Sequence, residues 1–328
     1  MTTYILRRLL LLIPTLLGIT LLTYILVRCS PGNAALIRGG GALGSHAMSA
    51  EAREQMIHLL GLDKPPIEAY GDWLWRLLHL DLGQSFVDHR PVADKILERL
   101  PLTVVLMGSS LILSYLIAIP LGIAAAIKRG QVLDRTISFV VFSLYSIPSF
   151  AMALMLILLV AGGDYLNLLP MFGKESIFAE DLSFFPWLWD RIQHLILPVF
   201  CLTYGTLASI SRYSRVSMLD ALGQDFIRTA RAKGLPERLV LFRHALRNAL
   251  IPIITIFALD LPGLIGGAII IEGIFSLPGM GQLIFMSLDA QDIPTIMGIT
   301  LVAAVVTLFS YLLADILYVV VDPRITYE

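Results

Sequence analysis

Long apolar runs alternate along this chain with short polar stretches punctuated by Gly and Pro. A helix needs about 20 mainly apolar residues to cross a bilayer. Six runs qualify: Leu9 to Val27, Leu102 to Ile127, one within Thr136 to Gly162, about Ile192 to Ser211, Ala249 to Ile271, and Ile293 to Tyr318. The pattern predicts an all-α polytopic membrane protein with six transmembrane helices. Pro120 and Pro148 predict kinks in the second and third spans, and Asp260 and Pro262 interrupt the fifth. The first run follows Arg7-Arg8 and is longer than the roughly 7–15 apolar residues of a signal peptide. It ends Leu26-Val27-Arg28-Cys29, where Arg28 spoils a lipoprotein-type cleavage site. A retained helix is predicted.

The polar stretches divide the chain further. Residues 28–100 hold eight basic and nine acidic residues, with turn signals at Pro31-Gly32, Gly39-Gly40-Gly41, Gly61 and Pro65-Pro66. Ser49 caps a predicted helix through Leu60, which Gly61 ends. Trp73, Trp75, Leu77 and Leu78 suit an amphipathic segment at the membrane surface. The stretch reads as a small extramembrane domain. The expected division is 1–27, N-terminus and first span; 28–100, extramembrane domain; 101–318, a five-helix core with a loop at 212–248; and 319–328, a tail.

Charge fixes the orientation. The N-terminus, the 128–135 loop, the 211–247 loop and the tail together carry fourteen Lys or Arg residues; the 163–191 loop carries two and the 272–294 loop none. By the positive-inside rule both termini face the cytoplasm and the 28–100 domain lies outside. Phe184, Phe185, Trp187 and Trp189 suit the outer membrane interface.

Composition agrees: the chain has 328 residues, 57% hydrophobic and 15% charged, and a mean hydropathy of +0.79. A soluble domain is nearer a quarter charged. The net charge of −1 is segregated by loop, and the basic residues lie at membrane edges without interleaved aromatics, which disfavours nucleic acid as a partner. Cys29 and Cys201 form no disulfide framework, and six scattered histidines lack metal-ligand spacing. There is no phosphate-binding GxxxxGK[ST], HExxH, CxxC or GxSxG. No metal site and no catalytic set are predicted.

Ionisable groups within a membrane are expensive and mark function by default. Asp260 is the candidate pathway residue, either lining a polar solute path or pairing with a neighbouring helix. Asp315, near the cytoplasmic end, suits a structural hydrogen bond, and Glu272 sits at a helix end. Gly263 and Gly267 form a GxxxG in the fifth span, read either as packing within the chain or as contact with a second membrane subunit.

The most basic stretch has a distinct shape. Eight Lys or Arg residues fall between Arg212 and Arg247. A helical pattern runs to Gly234, breaks at Gly234-Leu235-Pro236 and resumes through Asn248. A lipid-facing basic loop explains the charge, but not the turn with Ala230 and Ala232 beside it. Asp220, Asp225 and Glu237 make the surface mixed in sign, which fits a specific protein partner.

Phe226-Ile227-Arg228-Thr229-Ala230-Arg231-Ala232-Lys233-Gly234-Leu235, followed by His244-Ala245-Leu246-Arg247-Asn248-Ala249-Leu250-Ile251-Pro252, resembles the cytoplasmic loop of ABC importer permeases. More narrowly it is similar to the dipeptide/oligopeptide/nickel importer group of the DppB/OppB type. Leu6-Arg7-Arg8 with Ile13-Pro14-Thr15, Gly61-Leu62-Asp63-Lys64-Pro65, Asp81-Leu82-Gly83-Gln84-Ser85, the segment from Glu272 to Gly281 and Asp322-Pro323-Arg324 fit too. Arg228-Thr229-Ala230 stand where the general permease pattern has Glu-Ala-Ala, a departure usual in the peptide branch.

The resemblance implies a type I ABC importer permease fold in a bacterial inner membrane. It implies a solute pathway for di- or oligopeptides, with nickel, glutathione or oligosaccharide as alternatives. It also implies a second homologous permease, two ATP-binding subunits and an extracytoplasmic solute-binding protein, with membrane lipid around them. ATP and magnesium would then sit on the partner ATPase, with no cofactor on this chain. Arg228, Thr229, Ala230, Arg231, Ala232, Lys233, Gly234 and Leu235 become the expected ATPase-coupling residues. An ion-driven secondary transporter would show inverted repeats with broken helices near the midplane; none stands out. A membrane enzyme would need a nucleophile–base set, and none is present.

Overall fold

The computed structural model describes residues 2–29, 57, 63–161 and 165–321. The 322–328 tail, the turns at Pro31-Gly32, Gly39-Gly41 and Gly61, and all of the expected Ser49-to-Leu60 helix except Ile57 lie outside the described residues.

Helix α1 (Thr2–Arg28) carries the first apolar run. Helix α2 (Pro66–Leu78) opens on a proline, at the position where a missing N–H costs nothing. Helix α3 (Val92–Ile127) is 36 residues long, about 54 Å at 1.5 Å per residue. It begins ahead of the predicted Leu102 because Val92 and Ile96 are buried while Asp94 and Glu98 stay exposed on the other side. It also runs uninterrupted through Pro101 and Pro120.

Helices α4 (Val132–Tyr145) and α5 (Ser149–Leu156) meet at a bend of 87°, and α5 continues as a π turn, Ile157–Ala161. The third run is therefore a bent pair, not one kinked rod. Pro148 supplies no amide hydrogen and drives the preceding residue out of the helical region.

Helix α6 (Phe184–Leu222) spans 39 residues and outruns the predicted fourth span at both ends. Beyond Ser211, residues Ser214, Met218 and Ala221 remain buried on one face, so the helix continues where the charge pattern suggests a loop. Next come α7 (Asp225–Ala232), the short α8 (Glu237–Leu239) and a π turn, Val240–Ala245. They lead into α9 (Leu246–Asp260), α10 (Gly263–Gly266) and α11 (Ile269–Ile274). Helices α12 (Met280–Asp289) and α13 (Ile293–Val321) complete the order.

The GxxxG reading of Gly263 and Gly267 needs correction. Gly263 opens α10, whereas Gly267 lies past its end with φ 69°, so the two do not share a helical face. A Cβ on Gly267 would collide with the Gly281 amide nitrogen and sit 2.7 Å from Glu272 Oε1. Its small size serves a close approach inside the chain.

Among the described residues, five helical stretches are long and apolar enough to cross a membrane, or six if the bent pair counts as one span. Among the described residues the only β feature is an isolated bridge between Gln84 and Pro91. The chain divides into two compact units, Met1–Glu98 with Met286–Leu308, and Arg99–Phe285 with Phe309–Glu328. Neither unit is a contiguous segment.

In the first unit Tyr24 of α1 stacks on Trp73 of α2, with ring centroids 6.2 Å apart, and Thr20 Oγ1 lies 3.0 Å from the Tyr70 hydroxyl. Trp75 and Leu78 remain exposed. The buried Asp292 carboxylate holds the 85–86 segment: it accepts the Ser85 hydroxyl at 2.6 Å, the Phe86 amide at 2.9 Å and the Thr295 hydroxyl at 2.6 Å. Lys95 Nζ bonds Ser85 Oγ at 2.8 Å and pairs with Asp88 at 3.1 Å. Burial pushes the Asp88 carboxyl up, but hydrogen bonds from Ser85, Lys95 and the Arg90 amide, with the Lys95 charge, bring it down to about 2.

Two apolar clusters stand out among the described residues of the second unit. One gathers Leu106, Met152, Leu197, Cys201, Tyr204, Phe275 and Leu277. The other, under the basic stretch, gathers Ala126, Met218, Ala221, Ile227, Ala230, Val240, Ala245 and Ala249. Helices α3 and α6 touch closely at Gly122, where a Cβ would collide with the Ser211 carbonyl and the Ser214 side chain. Nearby, Arg215 clamps the buried Asp134 with two hydrogen bonds of 2.7 and 2.9 Å, and the Gly130 amide adds a third at 2.9 Å.

Candidate coupling surface and intramembrane acids

The surface around Gly234 is built on a complete helix stop. Helix α7 ends at Ala232; Gly234 takes φ 74°, a conformation that costs a residue with a Cβ about 1–2 kcal/mol. The Gly234 amide returns to the Arg231 carbonyl at 2.9 Å, and the Leu235 amide to the Ala230 carbonyl at 3.4 Å. Leu235 packs on the cluster that holds Ala230. These are the two hydrogen bonds and the apolar contact of a Schellman motif. Pro236 then caps α8.

The turn presents one face and buries the other. Ile227, at 0% exposure, and Ala230, at 5%, point into the cluster with Val240 and Met218. Ala230 is therefore small for the sake of the chain's own packing and offers nothing to a partner. Arg228, Thr229, Arg231, Ala232, Lys233 and Gly234 are exposed, and Leu235 is half-buried. A Cβ on Gly234 would meet nothing within 4 Å.

Arg231 reaches across the turn to Glu237, Nη2 to Oε1 at 2.7 Å and Nε to Oε2 at 3.2 Å. The Arg231 guanidinium is held above its usual range mainly by that hydrogen bond. Both partners are well exposed, so the pair orients the turn more than it stabilises it. Phe226 and Phe242 stand exposed on α7 and the following π turn. Phe242 escapes sequence reading because a single aromatic between Leu241 and Arg243 looks like a helix's core face.

Asp260, at the end of α9, accepts a 2.8 Å hydrogen bond from the Tyr115 hydroxyl of α3. The Tyr115 ring meets Phe257 edge-on at 5.3 Å. Of the two readings of Asp260, pairing with a neighbouring helix is thus realised. Asp315 is buried, with 8% exposure.

Glu272 is fully buried and its partners are neutral. Oε1 accepts the Ala268 amide at 3.1 Å and the Thr103 hydroxyl at 3.3 Å, and Oε2 accepts the Gln282 amide at 2.8 Å. The Thr103 oxygen in turn accepts the Met280 amide at 2.7 Å. A Cβ on Gly279 would lie 2.6 Å from the carboxylate, and one on Gly281 2.9 Å. Gly267, Gly279 and Gly281 leave room for this acid. Thr103, 169 positions away in the chain, has no signal in the sequence that would pair it with Glu272. Among the described residues no group of His, Cys, Asp or Glu could hold a metal ion.

Apolar helices of membrane-crossing length, with a polar turn set on a small packed core, define a multi-pass membrane protein. Residues 118–327 match the model of the binding-protein-dependent transport system inner membrane component, and residues 1–107 match that of its N-terminal part. The chain belongs to this family. It is 42% identical to the oligopeptide transport system permease protein AppB of Bacillus subtilis (strain 168) over 328 residues, covering all of both chains. It is 38% identical to the dipeptide transport system permease protein DppB of Escherichia coli (strain K12) over 348 residues, again covering both completely. A chain of the inward-facing MetNI methionine ABC transporter shares the fold, with a TM-score of 0.51 at 18% identity over 69% of this chain and 96% of that one. The protein is a permease subunit of an ABC importer in the inner membrane, and such permeases work with an ATPase and a substrate-binding protein.

Proposed function

We propose that this chain forms part of the pathway for di- and oligopeptides and takes up the motion of an ATPase through the exposed face of α7 and the Gly234 turn. It pairs with a second, homologous permease, and two ATP-binding subunits sit on the cytoplasmic side. ATP and magnesium are held by those subunits, and this chain needs no cofactor and performs no covalent chemistry. A solute-binding protein delivers the peptide to the outer face, where the 28–100 region receives it. Both termini lie in the cytoplasm.

The observation that carries this reading is the division of α7 into a buried and an open side. Burying an aliphatic side chain such as Ile227 or Val240 contributes about 1.5–3 kcal/mol, so α7 is tied to α6 and α9 and moves with them. The open side offers Arg228, Thr229, Arg231, Ala232, Lys233 and Gly234 to a partner. When the ATPase dimer closes, a push on this face is passed to the spans; the work available is set by how differently the partner contacts the two states. The 87° bend at Pro148 and the break at Pro262 are the points where the spans can flex. Asp260 with Tyr115 places a polar group within the membrane, as a pathway for zwitterionic solutes requires.

The test is uptake of labelled dipeptides and longer peptides into proteoliposomes carrying the full complex, with nickel and glutathione as competitors. Peptide uptake that only unlabelled peptide suppresses supports the reading; uptake of nickel without peptide rejects it.

A further inference from the structure

The first unit contains a cavity of about 720 Å³, within the 300–1,000 Å³ range of small-molecule sites. One wall is aromatic, from Tyr24, Trp73 and Trp75; another is the segment from Asp81 to Phe86; the last turn of α1 and the first turn of α13 close it. Most of its ionised groups are already engaged. Lys64 pairs with Asp72. Arg28 donates to the Tyr24 hydroxyl at 2.7 Å and to the Lys64 carbonyl at 2.9 Å.

Two groups are left over. Arg76 lines the cavity, and no ion pair engages it among the described residues. Asp81 lines it too, and among the described residues only its Oδ1 is used, by the Gly83 amide at 2.9 Å. Arg76 on α2 and Asp81 just beyond its end are joined through their backbones, the Asp81 amide donating to the Arg76 carbonyl at 3.0 Å. Yet the guanidinium and the carboxylate are not paired with each other. A guanidinium that feels Asp72 one turn away but forms no ion pair with it, and a carboxylate with one oxygen unused among the described residues, lie beside an aromatic surface, the complement of a small zwitterion with an apolar body.

We propose that this cavity is a receiving site for short peptides with free termini: Arg76 takes the terminal carboxylate, Asp81 the terminal ammonium, and Tyr24 and Trp73 an apolar side chain. The proposal rests on the peptide-import reading. It adds a site on this permease at which peptide binds by its two charged ends. Recognition of termini, not of side-chain identity, suits a subunit that must accept many sequences.

The test uses the membrane complex without its binding protein and without ATP, and measures equilibrium binding of radiolabelled Ala-Phe. Saturable binding is expected, weakened about three- to tenfold when the peptide is N-acetylated or C-amidated. Arg76→Gln should abolish discrimination against the C-amidated peptide and keep discrimination against the N-acetylated one; Asp81→Asn should do the reverse. Because both residues sit at a wall open to solvent, these changes should leave the unfolding temperature of the complex unaltered. Absence of saturable binding overturns the proposal, as does unchanged discrimination in both variants or displacement of peptide by phosphatidylethanolamine vesicles but not by unlabelled peptide. ATP-driven uptake is measured on the same preparation with the binding protein restored. Peptide uptake without cavity binding rejects only this site, whereas a complex that imports no peptide at all rejects the functional reading beneath it.

Discussion

Tyr115 and Asp260 face one another from α3 and α9, phenol to carboxylate, at 2.8 Å. Replacing Tyr115 with Phe removes the donor and leaves the acid without it, a loss of about 1–3 kcal/mol. Asp260→Asn keeps an oxygen to accept the bond and should cost less. Thermal unfolding of the purified complex should therefore rank Tyr115→Phe below Asp260→Asn. Uptake separates structure from pathway: a fall for Asp260→Asn at unchanged stability assigns the charge to the path. Unchanged uptake for every solute tested confines it to holding α3 and α9.

The Glu272 knot makes a sharper demand on size. Gly279→Ala would set a methyl group 2.6 Å from both the Glu272 carboxylate and Thr103 Oγ1, and overpacking of this kind costs about 1–3 kcal/mol. Glu272→Gln would turn an amide NH₂ toward a backbone N–H, since both carboxylate oxygens accept such bonds, at a similar cost of about 1–3 kcal/mol. Gly273→Ala is the control, because a Cβ there meets nothing within 4 Å. Limited proteolysis of the 261–285 region should accelerate in the first two variants and not in the third.

Toward the C-terminal end of α6, Arg215 grips Asp134 through both oxygens. Arg215→Lys keeps the charge but loses the fork and should lower stability by about 1 kcal/mol. Arg215→Ala leaves Asp134 buried without its cation, and breaking a buried pair costs up to about 3–5 kcal/mol, less here because the Arg215 side chain is 30% exposed. Asp134→Asn in the Arg215→Ala background should recover part of that loss, which a double-mutant cycle on unfolding midpoints would read.

The spans are legible in the sequence because a bilayer demands uninterrupted apolar length, and the Gly234 turn because only glycine takes φ 74° freely. The ends of the helices are less so. Val92 to Arg99 and Arg212 to Leu222 are helical on the strength of a few buried positions, while their charges imitate a loop. Pro120 and Pro148 look alike as kink signals, yet α3 passes through one and the chain turns by 87° at the other. Ala230 shows the limit most plainly: its small size is visible in the sequence, but whether it faces a partner or Val240 is decided by α9 folding back beneath it. Glu272 and Thr103 meet only through the tertiary fold.

If the open face of the Gly234 turn receives the motion of an ATPase, bulk placed there must uncouple transport from hydrolysis. A tryptophan at position 234 would project into space that this chain leaves empty, at a backbone cost of about 1–2 kcal/mol; Gly234→Asn carries a similar backbone change without the bulk. The measurement is peptide uptake per ATP hydrolysed, in proteoliposomes containing the complete transporter, for the original protein and both variants. Gly234→Trp should insert and assemble but lose uptake relative to hydrolysis, while Gly234→Asn should stay near the original ratio. Uptake by Gly234→Trp at the original rate and ratio would contradict it.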